Sequence, residues 1–152
     1  RESLEAGAPV FGARAASYAP SLIEVYGDLG LDFVRGDLER PGPSPWDSRD
    51  LEDLVRTATG ADVELLVRLP DSDPTLIRRV VDTGVRNLLI PRVETAEEVR
   101  RAVQATQFSY DDGPGERSFS GWRATGYSTD VDPTDHDETI CLGIMVETAA
   151  AV

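Results

Sequence analysis

Apolar residues along this chain recur with two alternating periods, one of two residues and one near 3.6, so strands and helices are expected to follow one another. Residues 9–15 read as a first strand and 17–28 as a helix, with a second strand over 31–38 entered from the turn at Gly30. The stretch 40–46 holds three prolines and a glycine, which forbids regular structure there. Ser48 is expected to cap the next helix, whose first turn carries Asp50 and Glu52 and whose buried stripe is Leu51, Leu54, Val55 and Ala58. A third strand follows over 63–69. Asp73-Pro74 then marks a helix start, Leu76, Ile77, Val80 and Val81 face inward, and Gly84 ends the helix. Residues 87–93 form the fourth strand. Thr95 and Glu98 make a capping box for a helix that buries Val99, Ala102 and Val103. A polar segment over 109–138 separates this helix from a fifth strand at 140–146, and a loop of that length is unusual unless functional.

Strands separated by single helices imply right-handed βαβ units and a parallel sheet, an α/β fold. An open doubly wound sheet and a (β/α)8 barrel both satisfy this pattern. A complete barrel takes roughly 250 residues. The 152 residues, which begin with Arg1 and stop just after the fifth strand, therefore read as a single domain and the N-terminal part of such a fold.

Charge narrows the partners. The net charge is −13, from 28 acidic and 15 basic side chains, and every basic one is arginine. Nucleic acid and anionic membranes need a basic patch, so neither is expected as a partner. Acidic residues spread through helices and loops, with arginine in place of lysine, suggest adaptation to high salt, where self-repulsion is screened; an ordinary acidic protein is the alternative. Schiff-base catalysis needs a lysine amine as its nucleophile. These residues contain none, so enolate chemistry housed in them must rest on a metal or on hydrogen bonds. The single cysteine, Cys141, reads as a small core residue in a reducing compartment. No window has the apolarity of a signal peptide or membrane span, and a cytoplasmic protein is expected.

In parallel α/β folds the active site lies at the carboxyl ends of the strands. The candidates are then Asp37, Glu39 and Arg40 after the second strand, Arg68 after the third, Pro91 and Arg92 after the fourth, and Glu147 after the fifth. Alternation places Glu147 on one face with Cys141, Gly143 and Met145. A carboxylate there either binds a cation such as Mg²⁺ or Mn²⁺ or caps the following helix. Arg68 could hold a carboxylate or enolate oxygen, or form an ordinary strand-end ion pair. Asp37 and Glu39 could be acid/base groups, but their spacing favours structural support of Arg35 and Arg40. His136 sits in an acidic stretch lacking the glycine and spacing of an EF-hand, so a solvated loop is expected. Gly113-Pro-Gly115 is a turn, with no strand leading into it.

The run from Leu66 to Val99 has V-R, then D-P, then V-D-T-G, then L-I-P-R-V-E-T-A-E-E in fixed order. It resembles the HpcH/HpaI family of 2-keto-acid aldolases, and Asp37-Leu-Glu39 and Val146-Glu147-Thr148 extend the likeness over nearly the whole chain. The citrate lyase β-subunit-like relatives are the nearest competitor. This resemblance selects the barrel. It implies a class II aldolase that cleaves or forms a carbon–carbon bond in a 4-hydroxy-2-keto acid through a pyruvate enolate. It further implies Glu147 as one of two ligands of Mg²⁺ or Mn²⁺, Arg68 as the group binding the pyruvate-like part, and Asp37 in an acid/base pair. Asp82 would serve a neighbouring subunit's site in a homo-oligomer, commonly a hexamer. Three departures stand out. The family's catalytic histidine position holds Arg40, which cannot act as a base near neutral pH. Met145 replaces a glutamine, and the second metal ligand is expected beyond Val152. These departures motivate a second reading, a catalytically silent paralogue that binds a keto acid or serves assembly.

Overall fold

The computed structural model describes residues 2–40, 42–110, 113–128 and 132–151, so Pro41 and the first residues of the acidic stretch around His136 lie outside the described residues. Five strands, β1 (Gly12–Ala15), β2 (Phe33–Asp37), β3 (Glu64–Arg68), β4 (Asn87–Ile90) and β5 (Cys141–Ile144), pair in the order 1-2-3-4-5. Every pairing is parallel. A doubly wound sheet reverses its strand order at a switch point; this one never does. Six helices accompany the strands: α1 (Glu2–Glu5), α2 (Pro20–Asp28), α3 (Ser48–Gly60), α4 (Pro74–Asp82), α5 (Ala96–Thr106) and α6 (Pro133–Glu138).

Alternation along the strands explains the layers. Val34, Leu65, Val67, Leu88 and Ile90 are buried in one core with Ile23, Leu51, Leu54, Leu76, Ile77, Val80, Val81 and Ala102 of the helices. α2, α3, α4 and α5 touch in sequence and form one layer against that face. The opposite faces of the strands present Phe33, Arg35, Leu66, Arg68, Leu89, Cys141 and Gly143, all only half-buried. Consecutive order with helices on one side is the arrangement of five successive β/α units of a TIM-type barrel, the uncovered face being the barrel's inner side.

Several local expectations are met. Pro74 occupies the first turn of its helix, the capping box of Thr95 and Glu98 is formed, and Gly84 takes φ +97° where α4 ends, whereas α2 begins at Pro20 and not at Ser17. Others are corrected. Asp47, not Ser48, caps α3, its carboxylate accepting from the Arg49 and Asp50 N–H groups; Ser48 is the first helical residue. Val103 is exposed, and Ala105 takes its place in the buried stripe. The strands are shorter than their apolar runs. β4 stops at Ile90 because Pro91 has no N–H for the ladder and Arg92 turns the chain at φ +52°.

The segment over 109–138 is not all loop, since it contains α6 and a 3-10 turn at Arg123–Thr125. Its base is clasped. Phe108 and Arg117 form an isolated bridge, and Gly115 passes so close to the Phe108 carbonyl that a side chain there would collide. Arg117 is buried, donating to Asp82 and the Thr106 carbonyl, with its guanidinium 4.0 Å from the Phe108 ring centre. His136, expected in a solvated loop, is buried in α6 with its ring edge-on to Phe108 at 5.1 Å. Burial, then the charges of Arg117 and Arg86, lower its pKa to about 4. It is neutral near pH 7.

Candidate active site at the strand ends

The register of β2 and β3 sets Asp37 beside Arg68 on the uncovered face. Asp37 has no exposed surface. Its Oδ1 accepts from Arg68 Nε and the Glu39 N–H, both at 3.1 Å. Its Oδ2 accepts from Arg68 Nη2 at 2.6 Å and from Arg14 Nη2 at 3.1 Å. Burial pushes this carboxyl's pKa up. The Arg68 hydrogen bonds, the Glu39 amide and the charges of Arg68 and Arg14 together outweigh it, and the group lies below the ordinary carboxylate range. Asp37 is therefore held as a carboxylate.

Arg68 Nη1 also meets Glu39 Oε2 at 2.7 Å, so all three guanidinium nitrogens are engaged. The hydrogen bond to Asp37 raises its pKa against the opposing effect of burial, with Asp37, Glu39 and Glu147 adding their charge. The strand-end ion pair is real, yet a guanidinium has five N–H donors. Three are engaged here, and two remain for a ligand. Asp37 and Glu39, whose spacing suggested support of Arg35 and Arg40, instead support Arg68.

Arg92 links three strand ends. Its N–H donates to Glu147 Oε2 at 3.0 Å, its Nη2 donates to the Pro70 carbonyl at 2.7 Å, and its Nη1 lies 3.9 Å from Glu39 Oε1. Because β5 ends at Ile144, the Arg92 amide and not strand alternation fixes the exposed Glu147 carboxylate. The left-handed backbone of Arg92 costs about 1–2 kcal/mol, and its exposed side-chain contacts return little. Arg92→Gly is therefore expected to leave stability within about 1 kcal/mol of wild type, whereas Arg92→Val loses about 1–2 kcal/mol more. Urea unfolding midpoints check this order.

Asp37, Arg68 and Glu147 thus gather at one mouth, and two expected members do not join them. Arg40 is exposed and takes no part in the Asp37–Arg68 contacts among the described residues. Asp82 ends α4 at the opposite pole of the fold, bonded to Arg117 Nη2 at 2.8 Å. Arg14 and Arg117 were missed by sequence reasoning. Arg14 lies one residue before the end of a short strand and was identifiable by position alone, while the only signal for Arg117 was a lone cation between Phe108 and Phe119 in a polar stretch. Among the described residues no three histidine, cysteine, aspartate or glutamate side chains cluster to hold a metal. Of the carboxylates at the mouth, Asp37 and Glu39 are engaged by Arg68, and Glu147 accepts from the Arg92 amide.

The order of the pattern and the geometry of the mouth can now be set beside known proteins. The model of the family described as HpcH/HpaI aldolase/citrate lyase matches residues 15–152. The chain belongs to that family. The hydroxypyruvate/pyruvate aldolase of Paraburkholderia phytofirmans is 37% identical over 123 residues, covering 78% of this chain and 46% of that protein. The hydroxypyruvate/pyruvate aldolase of Roseovarius nubinhibens is 32% identical over the whole chain and 58% of its own length. An HpcH/HpaI aldolase structure from Desulfitobacterium hafniense superposes with a TM-score of 0.84 at 28% identity, covering 99% of this chain and 57% of that one. The chain spans about half the length of the curated relatives it matches. As an HpcH/HpaI member it carries five successive parallel strands of the barrel type with their strand-end carboxylates and arginines, and no helix among the described residues is long and apolar enough to cross a membrane.

Proposed function

We propose that the full-length protein is an aldolase that cleaves or forms the carbon–carbon bond of a 4-hydroxy-2-keto acid, releasing pyruvate or a similar 2-keto acid. The observation that carries this reading is Arg68, fixed on three sides at the strand ends with two N–H groups unspent. In cleavage the C3–C4 bond breaks, its electron pair passes to the keto oxygen as an enolate, the 4-hydroxyl proton leaves, and C3 is then protonated. Arg68 places positive charge where the enolate or the neighbouring carboxylate lies, and its rigid anchoring by Asp37 removes the cost of orienting it during reaction. Arg40 offers a guanidinium where a base would be needed for the hydroxyl proton. That proton passes to solvent or to a carboxylate of the mouth.

Mg²⁺ commonly binds through one or two carboxylates together with substrate oxygens and water, and Glu147 fits as one such ligand. A bound Mg²⁺ or Mn²⁺ would act as a Lewis acid on the keto oxygen. The described residues close no such site on their own, so the remaining ligand comes from elsewhere in the protein. Asp82, at the far pole from Arg68, could reach a mouth only across a subunit boundary, which fits a homo-oligomer.

The test is pyruvate release from 4-hydroxy-2-keto acids by the full-length protein at high salt, with and without Mg²⁺ or Mn²⁺. Chelation is expected to abolish release and Mn²⁺ or Mg²⁺ to restore it. Turnover that survives chelation would overturn the metal assignment. Arg40 and Met145 favour a second reading, a keto-acid-binding paralogue without turnover. Arg40→His separates the two: a large gain in cleavage supports the silent paralogue, and no gain alongside wild-type turnover supports the enzyme.

A further inference from the structure

We propose that Arg14 is a specificity-determining residue of this mouth, receiving a second anionic group carried by the substrate beyond its keto-acid end. The inference rests on the keto-acid reading of Arg68. Local charge motivates it. In a chain of net charge −13, the strand ends and the inner face just below them gather Arg14, Arg35, Arg68 and Arg92 around three carboxylates, Asp37, Glu39 and Glu147. Such a local reversal of sign attracts anions.

Arg14 is the member whose charge the site needs least. Asp37 already receives two hydrogen bonds from Arg68 and one from the Glu39 amide, so most of its hydrogen bonding is supplied without Arg14. Arg14 adds one contact at 3.1 Å, through Nη2, and its side chain stays 45% exposed. Most of its donors are therefore open. Arg35 is its register partner on β2 and has a buried Nε without a hydrogen-bond partner. Like charges placed side by side repel, which drives Arg14 upward to the mouth. Arg14 and Arg68 touch the same oxygen, Asp37 Oδ2, so the two guanidinium groups are immediate neighbours. A ligand carboxylate seated on Arg68 has its far end within reach of Arg14, and an anion there meets charge-assisted donors that a neutral group cannot use.

The experiment compares two ligands of one carbon skeleton by calorimetry on the full-length protein at fixed salt: 2-oxoglutarate, with a second carboxylate, and 2-oxopentanoate, with a methyl group in its place. One charged hydrogen-bonded contact corresponds to a preference of roughly 10- to 100-fold for the dianion. Arg14→Gln is expected to bring that ratio close to one, and Arg14→Lys to restore part of it. Equal affinities in the wild type, or a preference that survives Arg14→Gln, would overturn the assignment. A purely structural Arg14 would lower both affinities together and leave the ratio unchanged, which also overturns it. Failure of both ligands to bind sinks this inference and the keto-acid reading together. Binding with the stated preference but without pyruvate release sinks only the cleavage reaction.

Discussion

Arg68→Ala is expected to lower pyruvate release by the full-length protein by roughly 100- to 1000-fold and folding stability by about 3–5 kcal/mol. Both effects come from one atom group. Removing it takes away the charge that the proposed reaction sets opposite an enolate, and it also strands a carboxylate with no exposed surface. Asp37 would keep only the Glu39 amide and the single Arg14 contact. The pH dependence gives the sign. Asp37 lies below its ordinary range in the folded protein, so its contribution is present above the unfolded carboxylate pKa and is lost as pH falls through the folded value. Without Arg68 the folded pKa rises towards or past the unfolded value, so the variant loses less stability to acid than the wild type does. Urea unfolding across pH, together with kcat/KM, measures both. A variant that loses stability but keeps kcat/KM would reduce Arg68 to an ordinary ion pair.

Arg117→Met is expected to cost about 3–5 kcal/mol, although the residue is remote from the mouth. Methionine keeps much of the volume against Phe108 but leaves the Thr106 carbonyl and Asp82 without their donor. The same substitution reports on His136. Its pKa of about 4 means that stability is lost as pH falls from about 6.5 to about 4, by up to about 3 kcal/mol. Arg117 is a named contributor to that depression, so the variant should lose less over the same interval than the wild type does. Midpoints at pH 7 and 4.5 give the comparison. Equal acid losses would show that burial and Arg86 set the His136 pKa without Arg117.

Local signals were legible in the sequence because their causes are local. The stripe Leu76, Ile77, Val80 and Val81 and the Thr95–Glu98 box depend only on residues a turn away. The one-residue error at Asp47 and Ser48 arose because both side chains can cap a helix. Asp37, Arg68 and Glu147 were identifiable as strand-end residues, but their connections were not. The Asp37–Arg68 pair follows from the register of two strands, and Glu147 is placed by the Arg92 amide from another strand end. The clasp of Phe108, Arg117 and His136 was illegible, since burial of Arg117 depends on Asp82 in a different helix. Periodicity left barrel and open sheet equal, and only the family resemblance separated them.

The consecutive strand order also bears on how the chain reaches this state. Gly12 finds Phe33, and Leu66 finds Asn87, across short intervals, whereas Asn87 must find Cys141 more than twice as far along. Each doubling of a loop costs about 0.6 kcal/mol in closure entropy, so the first four strands can zip as successive neighbours while the fifth lags. The Arg117 clasp ties part of the intervening chain to α4 and α5 and shortens the effective gap. Among these five strands β5 is therefore expected to join last, with Arg68 in place before Glu147 comes to share its mouth.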